Sequence, residues 1–234
     1  VNSPGTMCLG VVGGVSPLDV LTTDAAGTTT LAAGATAVTG ADLMFNDALV
    51  LGDDVTLNAT TSAHFFGTVN SDATARDLTL NSPTTMFHGV VGGGSALDVL
   101  TTDAVGTTTL DTTAVTGAVL DFNDAVVVSE DTTLTGTTSV DFAQTLDSDA
   151  TARDVTLNSP LTAFHGIVGG GSALDVLTTD AAGTTTIDTT TVNAADLMAN
   201  DAVVLSQDVT VNATTSAHFF GTVNSDATAR DLTV

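Results

Sequence analysis

The sequence has almost no positive charge. Its 234 residues include 27 acidic side chains but only three arginines and no lysine, which gives a formal net charge of −24. Nucleic acids, nucleotides and anionic lipids are bound through Lys or Arg contacts to phosphate, so this composition argues against all three as partners.

Cysteine and long apolar runs are also scarce. Cys8 is the only cysteine, so an intramolecular disulfide cannot form, and the Cys/His pairs typical of zinc sites do not occur. Asp, Asn, Gly or Thr interrupts every apolar run well before the ~18 residues that span a bilayer as a helix. We therefore expect no membrane insertion by this segment.

The sequence consists of one unit repeated three times. SDATARD begins at Ser71, Ser148 and Ser225, a constant spacing of 77 residues (148 − 71 and 225 − 148). No linker separates the copies, because the strand-like alternation of DLTLNSPTT continues from one copy into the next. This continuity favours one solenoid over three separate β-sandwiches, and we expect the segment to be part of a longer fibre. The predicted units are residues 1–79, 80–156 and 157–234.

A shorter period within each unit predicts the fold. Phe recurs at intervals of 20 and 22 residues, with an aliphatic residue four positions later, among many Thr, Val, Gly, Asn and Asp residues that favour strands or turns. A period of about 20 residues is close to one coil of a β-helix. We therefore predict an all-β, parallel β-helix (β-solenoid) with about four coils per unit and an interior phenylalanine stack. The predicted interior residues are Phe45, Phe65, Phe87, Phe122, Phe142 and Phe164.

All three arginines occupy the same repeat position, in the motif TARD. Arg76, Arg153 and Arg230 each follow an aspartate by four residues and directly precede another. A planar guanidinium can bridge carboxylates or turn carbonyls, whereas the alternative is an anion-binding or catalytic arginine. We predict the bridging role, because each arginine is surrounded by acidic residues and recurs in every unit.

Repeated aspartates in turn-like segments raise the question of calcium, which prefers oxygen ligands. The sequence contains neither an EF-hand loop nor the glycine-rich nonapeptide that binds calcium in β-rolls. No cofactor is therefore predicted, and Ca²⁺ is the cation to test. The candidate ligands are Asp24, Asp53, Asp54, Asp103, Asp131 and Asp180.

Other reactive residue types do not form a catalytic pattern. His64 and His88 are replaced by Asp or Leu in another unit, and Cys8 stands where Phe87 and Phe164 stand. We expect surface histidines and an apolar filler cysteine. GTTT, which could order water on an ice-binding face, occurs only once per unit, and the tyrosines, tryptophans and lysines of carbohydrate-active β-helices are absent. The sequence therefore predicts a protein that is not an enzyme.

The order of motifs in TLNSPTTMFHGVVGGGSALDVLTTDAVGTTTL, followed by FNDAVVV, DTTLTG and VDFAQTLDSDATARDVTL, resembles the β-strand repeats of very large bacterial surface and secreted proteins. These are the filamentous-haemagglutinin-like and autotransporter-type adhesins, and the resemblance covers essentially the whole chain. It implies a right-handed parallel β-helix, extracellular or at the cell surface, that serves as a stalk, filament or adhesive surface. The TARD arginine and the close identity of the copies depart from the family's pattern.

The resemblance also implies partners. We expect the chain to associate with itself, end to end or as further repeats, and to present a surface to a cell-surface or matrix target. The rival hypothesis is a calcium-responsive extracellular binding module, and the remaining alternatives are an ice-binding or a carbohydrate-active β-helix.

Overall fold

The computed structural model describes residues 3–234 as a stack of parallel strands. Within this range the chain forms 24 strands and no helix, and the stack is a β-solenoid of about 11 turns. The predicted all-β parallel solenoid is thus confirmed. Accordingly, the described residues include no helix long and apolar enough to cross a membrane.

The strands follow the sequence repeat, with eight equivalent strands in each third of the chain. The first eight are β1 (Gly5–Cys8), β2 (Leu18–Thr22), β3 (Thr28–Leu31), β4 (Ala37–Phe45), β5 (Ala48–Leu51), β6 (Val55–Phe65), β7 (Val69–Ser71) and β8 (Leu78–Asn81). The next eight are β9 (Thr84–Phe87), β10 (Leu97–Thr102), β11 (Thr107–Leu110), β12 (Ala114–Phe122), β13 (Ala125–Val128), β14 (Thr132–Phe142), β15 (Leu146–Ser148) and β16 (Val155–Asn158). The last eight are β17 (Leu161–Phe164), β18 (Leu174–Thr179), β19 (Thr184–Ile187), β20 (Thr191–Ala199), β21 (Ala202–Leu205), β22 (Val209–Phe219), β23 (Val223–Ser225) and β24 (Leu232–Thr233).

Each turn has three faces, and the strand registers trace each face from turn to turn. The first face runs through Leu21, Leu43, Ala63, Thr85, Thr108, Val126, Leu146, Val168, Val192 and Val211. The second runs through Thr6, Thr29, Leu49, Val69, Val91, Val115, Leu134, Leu157 and Thr179. The third runs through Val55, Leu78, Leu100, Leu120, Val140, Thr162, Thr185, Val203 and Val223. The ladders cross both unit boundaries without a break.

One sequence unit does not correspond to a whole number of turns. Three turns along the first face lead from Leu43 to Thr108, and the fourth would end at Val126, 18 residues later. Leu120, the equivalent of Leu43 in the next unit, is reached 12 residues after Thr108, two thirds of the way through that turn, and lies on the third face. Leu197, the next equivalent, lies on the second face. One unit therefore covers 3⅔ turns, and three units cover the observed 11.

This ratio differs from the expected four coils per unit because the turns differ in length. Eighteen residues separate Thr108 from Val126, whereas 24 separate Val168 from Val192. The corner loops between the faces account for the variation, since the paired strands keep their registers. As a result, equivalent residues in successive units lie on different faces and at different corners.

The six predicted phenylalanines are buried, at most 1% exposed. The change of face between units divides them into two separate stacks, on the first and third faces, instead of one. Phe45, Phe65 and Phe87 stack with ring centroids 5.4 and 4.9 Å apart. Phe122, Phe142 and Phe164 stack with both separations at 5.4 Å. Such ring pairs add about 0.5–1.5 kcal/mol each beyond the burial of their area.

Candidate functional site

Each unit buries one aspartate at a corner of the solenoid. Asp47, Asp124 and Asp201 are 3%, 1% and 3% exposed, and a buried carboxylate is costly unless its oxygens accept hydrogen bonds. Two threonines supply them: Thr102 Oγ1 donates to Asp124 Oδ1 at 2.6 Å, and Thr108 Oγ1 donates to Oδ2 at 2.9 Å. The same pair of bonds is present in the other two units. We call each set of one aspartate and two threonines a corner cluster.

The asparagine that precedes each buried aspartate completes the corner cluster. The backbone N–H of Asn123 donates to Thr102 Oγ1 at 3.0 Å, and its side-chain amide donates to the Thr102 carbonyl at 2.9 Å. Thr102 is therefore held as both acceptor and donor. Burial raises the pKa of the Asp124 carboxyl above its ordinary value, while the two threonine hydroxyls act in the opposite direction.

The GTTT motif contributes its middle threonine to this cluster. Thr29, Thr108 and Thr185 are at most 2% exposed, so the motif is not an outward row of three hydroxyls as an ice-binding face would require. Its glycine is needed for a close backbone approach: Gly106 has a φ of 133°, and a Cβ there would lie 2.5 Å from the Pro83 carbonyl oxygen.

The SDATARD motif forms a second kind of corner. Arg153 donates from Nε to Asp149 Oδ1 at 3.2 Å and from an Nη to Oδ2 at 3.0 Å, a two-pronged contact with the aspartate four residues earlier. The buried Ser148 accepts from the Arg153 backbone N–H through its Oγ, and Asp149 accepts from the N–H of Thr151. The guanidinium and these donors hold the pKa of the Asp149 carboxyl below its ordinary value.

The other two arginines make the same contact. Arg76 pairs with Asp72 and Arg230 with Asp226, in both cases at 3.1 Å between the closest charged atoms. Because of the change of face between units, the three motifs lie at three different corners. Each guanidinium is thus engaged by a neighbouring carboxylate, as a bridge would be, and the three are not gathered into one anion site.

The candidate calcium ligands act as acceptors for backbone N–H groups at separate corners. Asp53 Oδ2 accepts from the N–H of Gly34 at 2.9 Å, and Asp54 Oδ1 accepts from the N–H of Asp77 at 3.1 Å. Asp131 Oδ1 accepts from the N–H of Asp154 at 3.0 Å. These bonds join one turn to the next, because donor and acceptor lie 19 or 23 residues apart.

The repeated aspartates of the TTDA motif lie beside the corner clusters. Asp103 Oδ1 accepts from the N–H of Ser82 at 3.1 Å, whereas Asp24 Oδ1 and Asp180 Oδ1 are buried without a hydrogen-bond partner. Burial raises the pKa of the Asp180 carboxyl, and the charge of Asp201 acts in the same direction. In residues 3–234, His, Cys, Asp and Glu side chains do not form a group of three or more that could hold a metal ion.

The histidines lie on the outer faces and contact carboxylates or rings. His88 Nδ1 is 2.7 Å from Asp111 Oδ2, and its ring stacks on Phe66 with centroids 4.6 Å apart. His165 is held by Asp188, at 3.1 Å from Nδ1. These pairs lack a nearby activated nucleophile and fit the expected surface role.

Cys8 and the main surface depression add no reactive group. Cys8 is partly buried against the core, and burial raises the pKa of its thiol, which lowers the thiolate fraction. The depression is open and is lined by residues that include Asp141, Leu161 and Thr184. Its threonines and apolar side chains offer hydrogen bonds and contact area but no acid–base pair.

The corner clusters were missed in the sequence because their members are far apart along the chain. Thr102 and Thr108 precede Asp124 by 22 and 16 residues, and the corresponding separations for Asp47 are 24 and 18. The joint recurrence of TTD, GTTT and Asn-Asp in every unit was the available signal. Two extra residues between Thr29 and Asp47 lengthen both separations equally without breaking the bonds.

Comparison of the chain with protein-family models, with curated proteins and with solved structures finds no match.

Proposed function

We propose that this chain is a non-enzymatic structural repeat that forms a stalk or filament of a large bacterial surface or secreted protein. Its useful property is length, and its role is to extend an adhesive surface or to scaffold an extracellular matrix. The close repeats provide a self-stacking unit whose number sets the reach of the fibre.

The observation that carries this proposal is the unbroken first-face ladder from Leu21 to Val211. Adjacent strands lie about 4.8 Å apart, so about 11 turns make a rod roughly 50 Å long. Every turn contributes the same kind of contact, and each added unit lengthens the rod by about 18 Å (3⅔ turns of about 4.8 Å).

The use of polar groups in the repeat supports a scaffold. The arginines, the buried aspartates and the Asn-Asp pairs make bonds within a corner or between neighbouring turns. A catalytic site would instead need such groups to converge on a shared substrate. The triplication of every one of these bonds is the expected arrangement for a stacking unit.

The bacterial extracellular assignment rests on the motif order that resembles the large adhesins. The strongly acidic composition is compatible with it, because net charge limits unspecific association of exposed fibres. Adhesion and matrix scaffolding both require the chain to reach beyond the cell envelope, so they share one test.

An antibody raised against the folded chain tests this location in cells that produce it. We expect labelling of intact, unpermeabilised cells or of the secreted fraction, with an antibody against a cytoplasmic protein as the control for lysis. Labelling that requires permeabilisation would contradict the proposal.

Loss of the gene segment provides the functional readout. An in-frame deletion of one or more whole units should shorten the surface fibre by about 18 Å per unit in electron micrographs and reduce attachment or matrix cohesion. Unchanged fibre length after such a deletion would contradict the stalk role.

A further inference from the structure

The two ends of the solenoid present incompletely buried apolar side chains. Eight hydrophobic residues of the described chain pack against the core but stay partly exposed, and all of them belong to the first or the last turn. They are Cys8, Val12, Leu21, Ala213, Ala217, Phe219, Val223 and Leu232. Both ends also offer strand edges with unpaired N–H and C=O groups, the usual template for pairing with another strand.

The two ends have the same rotational orientation. Cys8 pairs with Leu31 on the second face, and Phe219 pairs with Ala199 on the same face at the other end. This agreement follows from the ratio of 3⅔ turns per unit, because three units complete a whole number of turns. One or two units would leave the ends rotated relative to each other by two thirds or one third of a turn.

The interior of the chain shows what a joint between the ends would look like. By sequence repeat, Phe219 corresponds to Phe142 and Cys8 corresponds to Phe164. Phe142 and Phe164 are register partners on adjacent turns, with ring centroids 5.4 Å apart. A second copy placed one turn beyond the last would therefore set its Cys8 directly against Phe219.

We propose that the last turn of one copy binds the first turn of a second copy, in parallel and in this single rotational register. The joint continues the three ladders and covers the partly exposed apolar side chains at both ends. The proposal rests on the proposed filament function and names its partner, a second copy of this chain. The net charge of −24 opposes the joint, so salt should strengthen it.

The substitution Phe219→Cys tests the register directly, because Cys8 is the only natural cysteine. Adjacent strands place Cα atoms about 4.8 Å apart, within the range of about 4.4–6.8 Å that a disulfide spans. After oxidation with diamide at raised salt, we expect a ladder of dimers, trimers and longer species on a non-reducing gel. Mass spectrometry should find the Cys8 peptide linked to the peptide of the substituted position.

His218→Cys is the matched control. His218 is the neighbour of Phe219 on the same strand but is more exposed and points outward. Its cysteine cannot reach the inward Cys8 of a correctly stacked copy. The unsubstituted chain, with Cys8 alone, can form dimers at most.

The outcomes separate the joint from the proposed function. No species beyond dimers from F219C, or an equally long ladder from H218C, would overturn the joint. Sedimentation of the unsubstituted chain guards against a folding defect: its mean mass should rise with concentration at raised salt, and a constant monomer mass would also overturn the joint. Surface labelling of cells without a disulfide ladder would reject the joint alone, whereas a ladder without surface labelling would reject only the extracellular function.

Discussion

Removal of one buried aspartate is the most informative perturbation of this solenoid. Asp124→Ala leaves the hydroxyls of Thr102 and Thr108 without their acceptor, and both threonines are at most 1% exposed. A buried polar group that loses its partner costs about 1–3 kcal/mol. Two such groups, reduced by the desolvation cost that the removed carboxylate no longer incurs, give a net loss of about 2–5 kcal/mol in the free energy of unfolding.

The assay is chemical denaturation followed by the far-ultraviolet circular dichroism of the strands. Asp98→Ala is the matched control, since it removes the same charge from an exposed position. Combining Asp124→Ala with Thr108→Val should cost less than the sum of the two single changes, because fewer unpaired hydroxyls remain buried. If Asp124→Ala destabilises the chain no more than Asp98→Ala does, the corner cluster is not a source of stability.

The pH dependence of stability provides an independent test of the same residue. Because burial raises the pKa of Asp124 in the folded chain, the folded state binds more protons than the unfolded state between the ordinary and the raised pKa. Acidification through that window should therefore stabilise the natural chain relative to Asp124→Asn, which cannot titrate there. A difference between the two chains that stays constant, or moves the other way, would contradict the burial argument.

Three further predictions concern other parts of the repeat. Phe142→Ala should lower the free energy of unfolding by about 3–5 kcal/mol, the usual cost of truncating a core aromatic, whereas Phe66→Ala, on a ring that is 42% exposed, should cost far less; equal losses would contradict the interior stack. Arg153→Gln should raise the pKa of the Asp149 carboxyl toward its ordinary value in an NMR titration, so the variant should lose less stability on acidification than the natural chain; an unchanged pKa would contradict the bridge. The melting temperature should be the same in chelator as in calcium at matched ionic strength, and a calcium-specific rise, absent with magnesium, would support the rival binding module.

The sequence predicted much of the fold because its local signals repeat. Alternation such as that of DLTL indicates which side chains point inward, and the recurrence of Phe about every 20 residues indicates one turn. The spacing of Arg153 from Asp149 indicates their contact, since residues this close in one corner loop can meet without any tertiary information. Burial of Phe142 follows from the same alternation. These features depend on neighbours within a few residues or on a period visible in the chain.

The tertiary structure decided the features that depend on contacts between turns. Nothing local distinguishes Asp124 from an exposed turn aspartate, because the threonines that make its burial tolerable lie 16 and 22 residues earlier. The ratio of 3⅔ turns per unit was also hidden, since it depends on the lengths of the corner loops and these vary while the strand pattern does not. The sequence alone therefore determined the repeating unit and its inward-facing residues, whereas the stacking of turns determined at which corner and on which face each unit presents them.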